Sequence, residues 1–176
     1  MALHFSKQEF EKRKIAILNS MKEQNLDALL MFRQESMFWL TGYDTFGYVF
    51  FQTLIIDQKG NIILLTRAPD LRQAQNTSNI EDIRIWVDKD QSNPTDDLKI
   101  ILNELNLKGK RIGIEYEAYG MTGRNALKLN KSLKDYCEVE DQSELITKHR
   151  VIKSQEEIVY VKRAAELADQ GLNEAW

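Results

Sequence analysis

Cysteine occurs once in the 176 residues, at Cys137, and proline twice, at Pro69 and Pro94. A single thiol cannot close a disulfide within the chain, so no disulfide framework holds it and a reducing cytoplasm is the expected setting. Histidine is nearly as scarce. His4 and His149 are the only two, and neither has the i+3 or i+4 partner of a helical zinc site. Apolar runs are short as well: none approaches the roughly 20 residues that cross a bilayer, and no membrane partner is expected. The opening, MALHFSKQEFEKRK, lacks the apolar core of a leader peptide. Neither sign of charge dominates. With 24 basic and 27 acidic residues interspersed, net −3, there is no broad basic face for nucleic acid. There is also no G-x-S-x-G elbow and no glycine-rich phosphate loop.

What is present describes an ordinary globular chain, 43% hydrophobic and 29% charged. Ser6 and Glu9 have capping-box spacing, and the helix they open carries Phe10, Ile17, Leu18 and Met21 to about Gln24. ALLMF, from Ala28, reads as a central strand covered on both faces. YVFFQTLIID (Tyr48–Asp57) and NIILLT (Asn61–Thr66) flank QKG, a hairpin signal in which Gly60 is free to take positive φ. A polar helix after Pro69 and a strand IRIWV follow. Asn93 and Pro94 then open a helix burying Leu98, Ile101, Leu102 and Leu105. RIGIE, a Thr122-capped helix and a short strand through Cys137 and Val139 complete the pattern. Strands alternating with helices, interrupted by one hairpin, predict an α/β fold with a mixed β-sheet flanked by helices.

The last thirty residues read differently. LITKHRVIKS is a dense basic connector, and Ser154 with Glu157 forms a second capping box. The helix beyond has a narrow apolar seam of Ile158, Val161, Ala165, Ala168 and Leu172 that needs a packing partner. The seam implies either an element outside these residues or a fold back onto the sheet. Catalytic chemistry is thin throughout. His149 reads as a connector residue, Cys137 has no nearby histidine, and Glu115, Glu117 and the Glu138–Asp141 group read as solvated strand ends. No catalytic and no metal-ligating set is assigned.

Four ordered motifs resemble the N-terminal domain of the creatinase/prolidase metallohydrolases, which include Xaa-Pro dipeptidases and aminopeptidases P. The R-x-x-x-I helix (Arg13, Ile17) leads to LDALLMF, and MFWLTGYD (Met37–Asp44) is similar to the family's N-x-x-Y-L-T-G-Y/F corner. LKGKRIGIE (Leu107–Glu115) is similar to its K-x-I-G-x-E strand. HRVIKSQEEIVYVKRAAELAD (His149–Asp169) resembles the segment that opens the catalytic domain, with Arg150, Lys153, Ser154, Glu157 and Ile158 at matching positions.

The resemblance implies a division at residues 1–146 and 147–176, the latter being linker and first helix of a catalytic domain otherwise absent from these residues. It implies two divalent metal ions (Mn, Co or Zn), held by two Asp, one His and two Glu beyond them. It also implies a homodimer, and a small peptide or a small amide- or amidine-like substrate. Tyr43, Asp44, Phe46 and Tyr48 become the expected substrate-shaping residues, with Phe38 and Leu40 in the core and Gly47 lending loop freedom. Aromatic faces would exclude water and grip an apolar ring, and Asp44 would anchor a cation. The corner has no base for a dipeptide's carboxylate, which leaves Arg33, Arg67 and Arg72. Two alternatives stand beside the peptidase: a creatinase- or ectoine-hydrolase-like enzyme cleaving a non-peptide C–N bond, and a stand-alone α/β binding or dimerisation module.

Overall fold

A computed structural model describes residues 3–175. ALLM forms β1, Ala28–Met31, and all four residues are buried. The run is apolar at every position because β1 lies inside the sheet with both faces covered. It pairs antiparallel with β2, Thr53–Asp57, and parallel with β5, Arg111–Ile114. β2 turns through Gly60, at φ +81°, into β3, Ile62–Arg67. β4, Asp82–Trp86, and β6, Glu138–Asp141, form the two edges, each parallel to its neighbour. The order β4-β3-β2-β1-β5-β6 is the mixed sheet expected of the alternating pattern.

Helices cover both faces: α1 Lys7–Glu23, α2 Gln34–Thr41, α3 Leu71–Thr77, α4 Pro94–Glu104, α5 Gly123–Leu133 and α6 Leu145–Val151. The two-residue period of a strand divides the core. Leu30, Ile55, Leu65 and Ile112 pack with Leu98, Leu102 and Leu129 on the α4–α5 face. Leu29, Met31, Leu54 and Ile56 pack with Ile17, Met21, Leu40 and Ile146 on the face of α1, α2 and α6.

Two sequence expectations change. The run Tyr48–Gln52 is not strand: Gly47–Val49 is a 3-10 turn, closed by Phe50 N donating to Gly47 O at 2.9 Å. Its backbone receives a side chain from the edge strand β4 instead. The Phe51 carbonyl accepts from Trp86 Nε1 at 3.0 Å. Next, LITKHRV is a helix rather than a connector. Leu145 and Ile146 are buried in the core, and the basic residues fall in its last turn, where the helix dipole favours them. Of the two readings of the last helix the fold back onto the sheet is set aside, because α7, Gln155–Glu174, buries no residue. Its seam residues from Val161 onward are exposed.

Glu115 overturns the solvated reading most sharply. It is 0% exposed at the end of β5. Its Oε2 accepts from the backbone N–H of Phe32 and of Arg33, both at 3.0 Å, and its Oε1 accepts from the Ser36 hydroxyl at 2.6 Å. Arg33 is the N-cap of α2 and has no side-chain cap of its own. A carboxylate from another strand therefore caps α2 and locks it to the sheet. Glu117, two residues on, is exposed and pairs with Arg33 at 2.8 Å.

Burial raises the Glu115 carboxyl to about 7, against the pull of the Ser36, Arg33 and Phe32 donors. A folded pKa above the unfolded one means that folding takes up a proton between the two values. The stabilisation from Glu115 is therefore present below its unfolded pKa and is lost as pH rises through about 7. The urea midpoint should fall between pH 5 and pH 8, and Glu115→Gln should flatten that fall. An equal pH slope in both proteins would contradict it. Separately, Leu30→Ala opens a cavity in the central strand and should cost about 2–5 kcal/mol in the same assay. A loss under about 1 kcal/mol would place Leu30 outside a packed core.

Candidate functional site

The aromatic corner begins as a helix. Phe38–Thr41 is the last turn of α2, and Gly42 ends it in the left-handed region at φ 81°, donating back to Phe38 O. A Cβ on Gly42 would lie 3.0 Å from Thr77 O, so both the turn and the close approach call for glycine. From this C-cap the chain runs over the edge of a cleft of about 430 Å³. Its walls are the segment before α1 (His4, Phe5), α2 (Glu35, Phe38, Trp39), the corner itself (Tyr43, Asp44) and the α6–α7 junction (Arg150, Lys153, Glu157).

The four expected substrate-shaping residues divide. Asp44 is exposed at the cleft. Tyr43 also borders it, but its side chain is 0% exposed and its hydroxyl donates to Gln52 Oε1 at 3.0 Å. Burial raises its pKa, so it stays a neutral hydrogen-bonding core residue. Phe46 and Tyr48 lie outside this cleft. Phe46 is 85% exposed, and Tyr48 meets the exposed Tyr119 edge-on with centroids 5.7 Å apart. Between them Gly47 is not a source of loop freedom: a Cβ there would sit 2.6 Å from the Asp70 carboxylate. Of the three basic candidates, Arg67 is held by Asp70 at 3.1 Å and by the Phe50 ring. Arg33 is committed to Glu117 and Thr147.

Several lining residues escaped sequence reasoning. Phe5 is the apolar residue before the Ser6 cap, and its ring meets Phe10 edge-on at 6.0 Å. That is a hydrophobic staple, legible in the spacing F-S-x-x-x-F. Phe38, expected in the core, is half-buried and faces His4 across 5.9 Å. Trp39 is buried, with Arg13 over its ring at 5.1 Å and His149 beyond at 6.2 Å. His149 hydrogen-bonds Ser20 at 2.8 Å, and burial lowers its pKa, which fits a packing role. Burial also pushes the Cys137 thiol up to about 11, the opposite of a reactive thiolate.

A second cleft of about 620 Å³ adjoins the first, lined by Arg33, Tyr116, Glu117 and Tyr119. Glu35 and Arg150 line both. The Glu35 Oε2 is buried without a hydrogen-bond partner. The Arg150 guanidinium enters no ion pair among the described residues. An acid and a base without partners, flanked by aromatic rings, can receive the two ends of a small zwitterion. A larger hollow of about 820 Å³ lies by the β4 edge; Arg84 there is already paired with Asp82 and Glu104, and Phe10 is the one aromatic ring among its described lining residues. Among the described residues no three His, Cys, Asp or Glu side chains converge as metal ligands.

Known proteins provide the comparison. The chain is 27% identical over 180 residues to an uncharacterized hydrolase/peptidase of Sinorhizobium fredii, covering 98% of this chain and 46% of that protein. It is 24% identical over 174 residues to the ectoine hydrolase of Halomonas elongata, covering 95% and 43%. Among solved structures, recombinant prolidase of Thermococcus sibiricus superposes with a TM-score of 0.79 at 20% identity, covering 96% of this chain and 44% of that one. The chain thus spans less than half the length of the curated relatives it matches. The model of the Creatinase/Prolidase N-terminal domain matches residues 13–152, most of the sheet and its helices, and the chain belongs to that family.

Proposed function

We propose that this chain is the N-terminal domain of a metal-dependent hydrolase of the Xaa-Pro dipeptidase or aminopeptidase P type, where it supports a homodimer and shapes substrate access. The aromatic cleft with Glu35 and Arg150 at its rim carries the reading. Its rings provide an apolar wall that excludes water, and its two charges suit the termini of a short peptide. The catalytic ions and their ligands belong to residues outside this chain. Asp44, exposed at the same cleft, offers a further acid for a cationic group, and Phe46 and Tyr48 extend the aromatic surface beyond it. A second reading, cleavage of a non-peptide C–N bond in a small zwitterion, is favoured by the likeness to an ectoine hydrolase. The same cleft would suit it.

The product of the complete natural reading frame carrying these residues is the material to assay. It should cleave Xaa-Pro dipeptides, lose activity on chelation and regain it with Mn, Co or Zn. Asp44→Ala and Phe46→Ala should each raise KM by about threefold to tenfold with kcat within about twofold, the signature of lost substrate binding. Absence of turnover on every Xaa-Pro dipeptide would sink the peptidase reading. Opening of a cyclic amidine by the same preparation would establish the second one.

A further inference from the structure

Ser6 caps α1 by accepting from Glu9 N at 3.1 Å. In a self-contained capping box the Glu9 side chain would return to the Ser6 N–H. It does not, because its carboxylate is drawn to Arg13 Nε at 3.1 Å. The vacant role is filled from 150 residues away. The Ser6 N–H donates to Glu156 Oε2 at 2.9 Å, and the Ser6 hydroxyl donates to Glu156 Oε1 at 2.6 Å. Glu156 stands in the first turn of α7.

The root of α7 makes two more contacts with the start of the chain. Glu157 Oε1 lies 3.3 Å from Arg13 Nη2, while its Oε2 accepts from Ser154 N at 2.7 Å and completes α7's own capping box. The Tyr160 hydroxyl donates to His4 O at 2.7 Å, and its ring meets Phe5 edge-on at 5.4 Å. From Val161 to Ala175 every residue is exposed. Attachment is therefore confined to the first two turns of a 20-residue helix. Behind them lie Ile152 and Ser154, both in extended conformation between two helices. Lys153 closes the end of α6 by donating to the Arg150 and Val151 carbonyls, and Ser154 opens α7. The helices are thus capped separately, with a three-residue pivot between them. Pivots of this kind absorb backbone rotation without disturbing either helix.

We propose that Glu156, Glu157 and Tyr160 form a clasp with the segment His4–Arg13 that sets the direction in which α7 leaves the domain. Because His4, Phe5 and Glu157 are also walls of the 430 Å³ cleft, the clasp holds that cleft together. When it opens, α7 turns about residues 152–154 and the cleft loses two walls. The sheet stays intact, since none of the clasp residues belongs to it. The inference does not rest on what the cleft binds.

The test uses the 176-residue chain with Cys137→Ser and spin labels at Leu127→Cys and Leu167→Cys, which are 74% and 51% exposed on α5 and α7. With the clasp closed, double electron–electron resonance should give one narrow distance distribution. Glu156→Ala with Glu157→Gln should at least double its width or shift its centre. Amide protection of residues 6–9 and 157–161 should fall at least tenfold, with β1 and β5 amides unchanged. Glu156→Ala alone, a surface change that leaves Arg13 paired, should move the same readouts in the same direction and covers a failure of the double variant to fold. Glu166→Ala, which breaks only the exposed Arg163 pair, should change nothing. An unchanged distance distribution in the clasp variants overturns the proposal. So does an equal loss of protection in β1, which would make these contacts a general stabiliser rather than an orienting device.

Discussion

Arg13 is a buried guanidinium, 3% exposed, that ties its own helix to three separate segments. Nε pairs with Glu9 in its own helix, Nη1 donates to the Trp39 carbonyl at 2.7 Å, and Nη2 faces Glu157 at an ion-pair separation without hydrogen-bond geometry. The Phe5 ring covers it, with the guanidinium carbon 4.1 Å from the centroid. Burying such a charge is costly, and removing one partner from a buried pair costs about 3–5 kcal/mol, because the other is left uncompensated. Arginine suits the position because its planar fork reaches several acceptors at fixed angles while stacking on a ring. Without it the N-terminal strap, the end of α2 and the root of α7 would have no shared anchor, and all three contribute walls to the aromatic cleft.

Much of the fold follows from local signals. The continuous apolar run of β1, the Gly60 hairpin and the caps Ser6, Thr122 and Ser154 all act over a few residues and could be read as such. What escaped is non-local. Glu115 caps α2 from 79 residues beyond Ser36, and Glu156 completes the cap of α1 from 150 beyond Ser6. A charged residue at the end of a strand gives no local sign that a helix terminus will close over it, so Glu115 read as solvated. Glu9 read as the capping-box partner of Ser6, and nothing local showed that Arg13 would draw its carboxylate away. In the site, Asp44 and Tyr43 were legible from the corner that holds them. Phe5, Glu35 and Arg150 became members of the cleft only through tertiary packing.

The split among the corner residues has a physical origin. Gly42 reverses the chain at the end of α2, which sends Tyr43 inward to Gln52 and leaves Asp44 outside. Past it the 3-10 turn presents Phe46 to solvent, while Gly47 lets Asp70 and Arg67 close beneath. One short stretch therefore does two jobs, with a packed tyrosine fixing the backbone from which the acid and the exposed aromatics project. That arrangement suits a surface that must keep its shape while offering apolar and acidic groups to a small molecule.

The claim that one buried arginine couples α7 to the body of the domain is tested most directly by a double-mutant cycle. Arg13→Lys and Glu157→Gln would be measured singly and together by urea denaturation of the 176-residue chain. A coupling energy above about 1 kcal/mol is expected, because the two side chains share one buried contact. Additivity within about 0.3–0.5 kcal/mol would show that the pair does not interact and that α7 is held by other means.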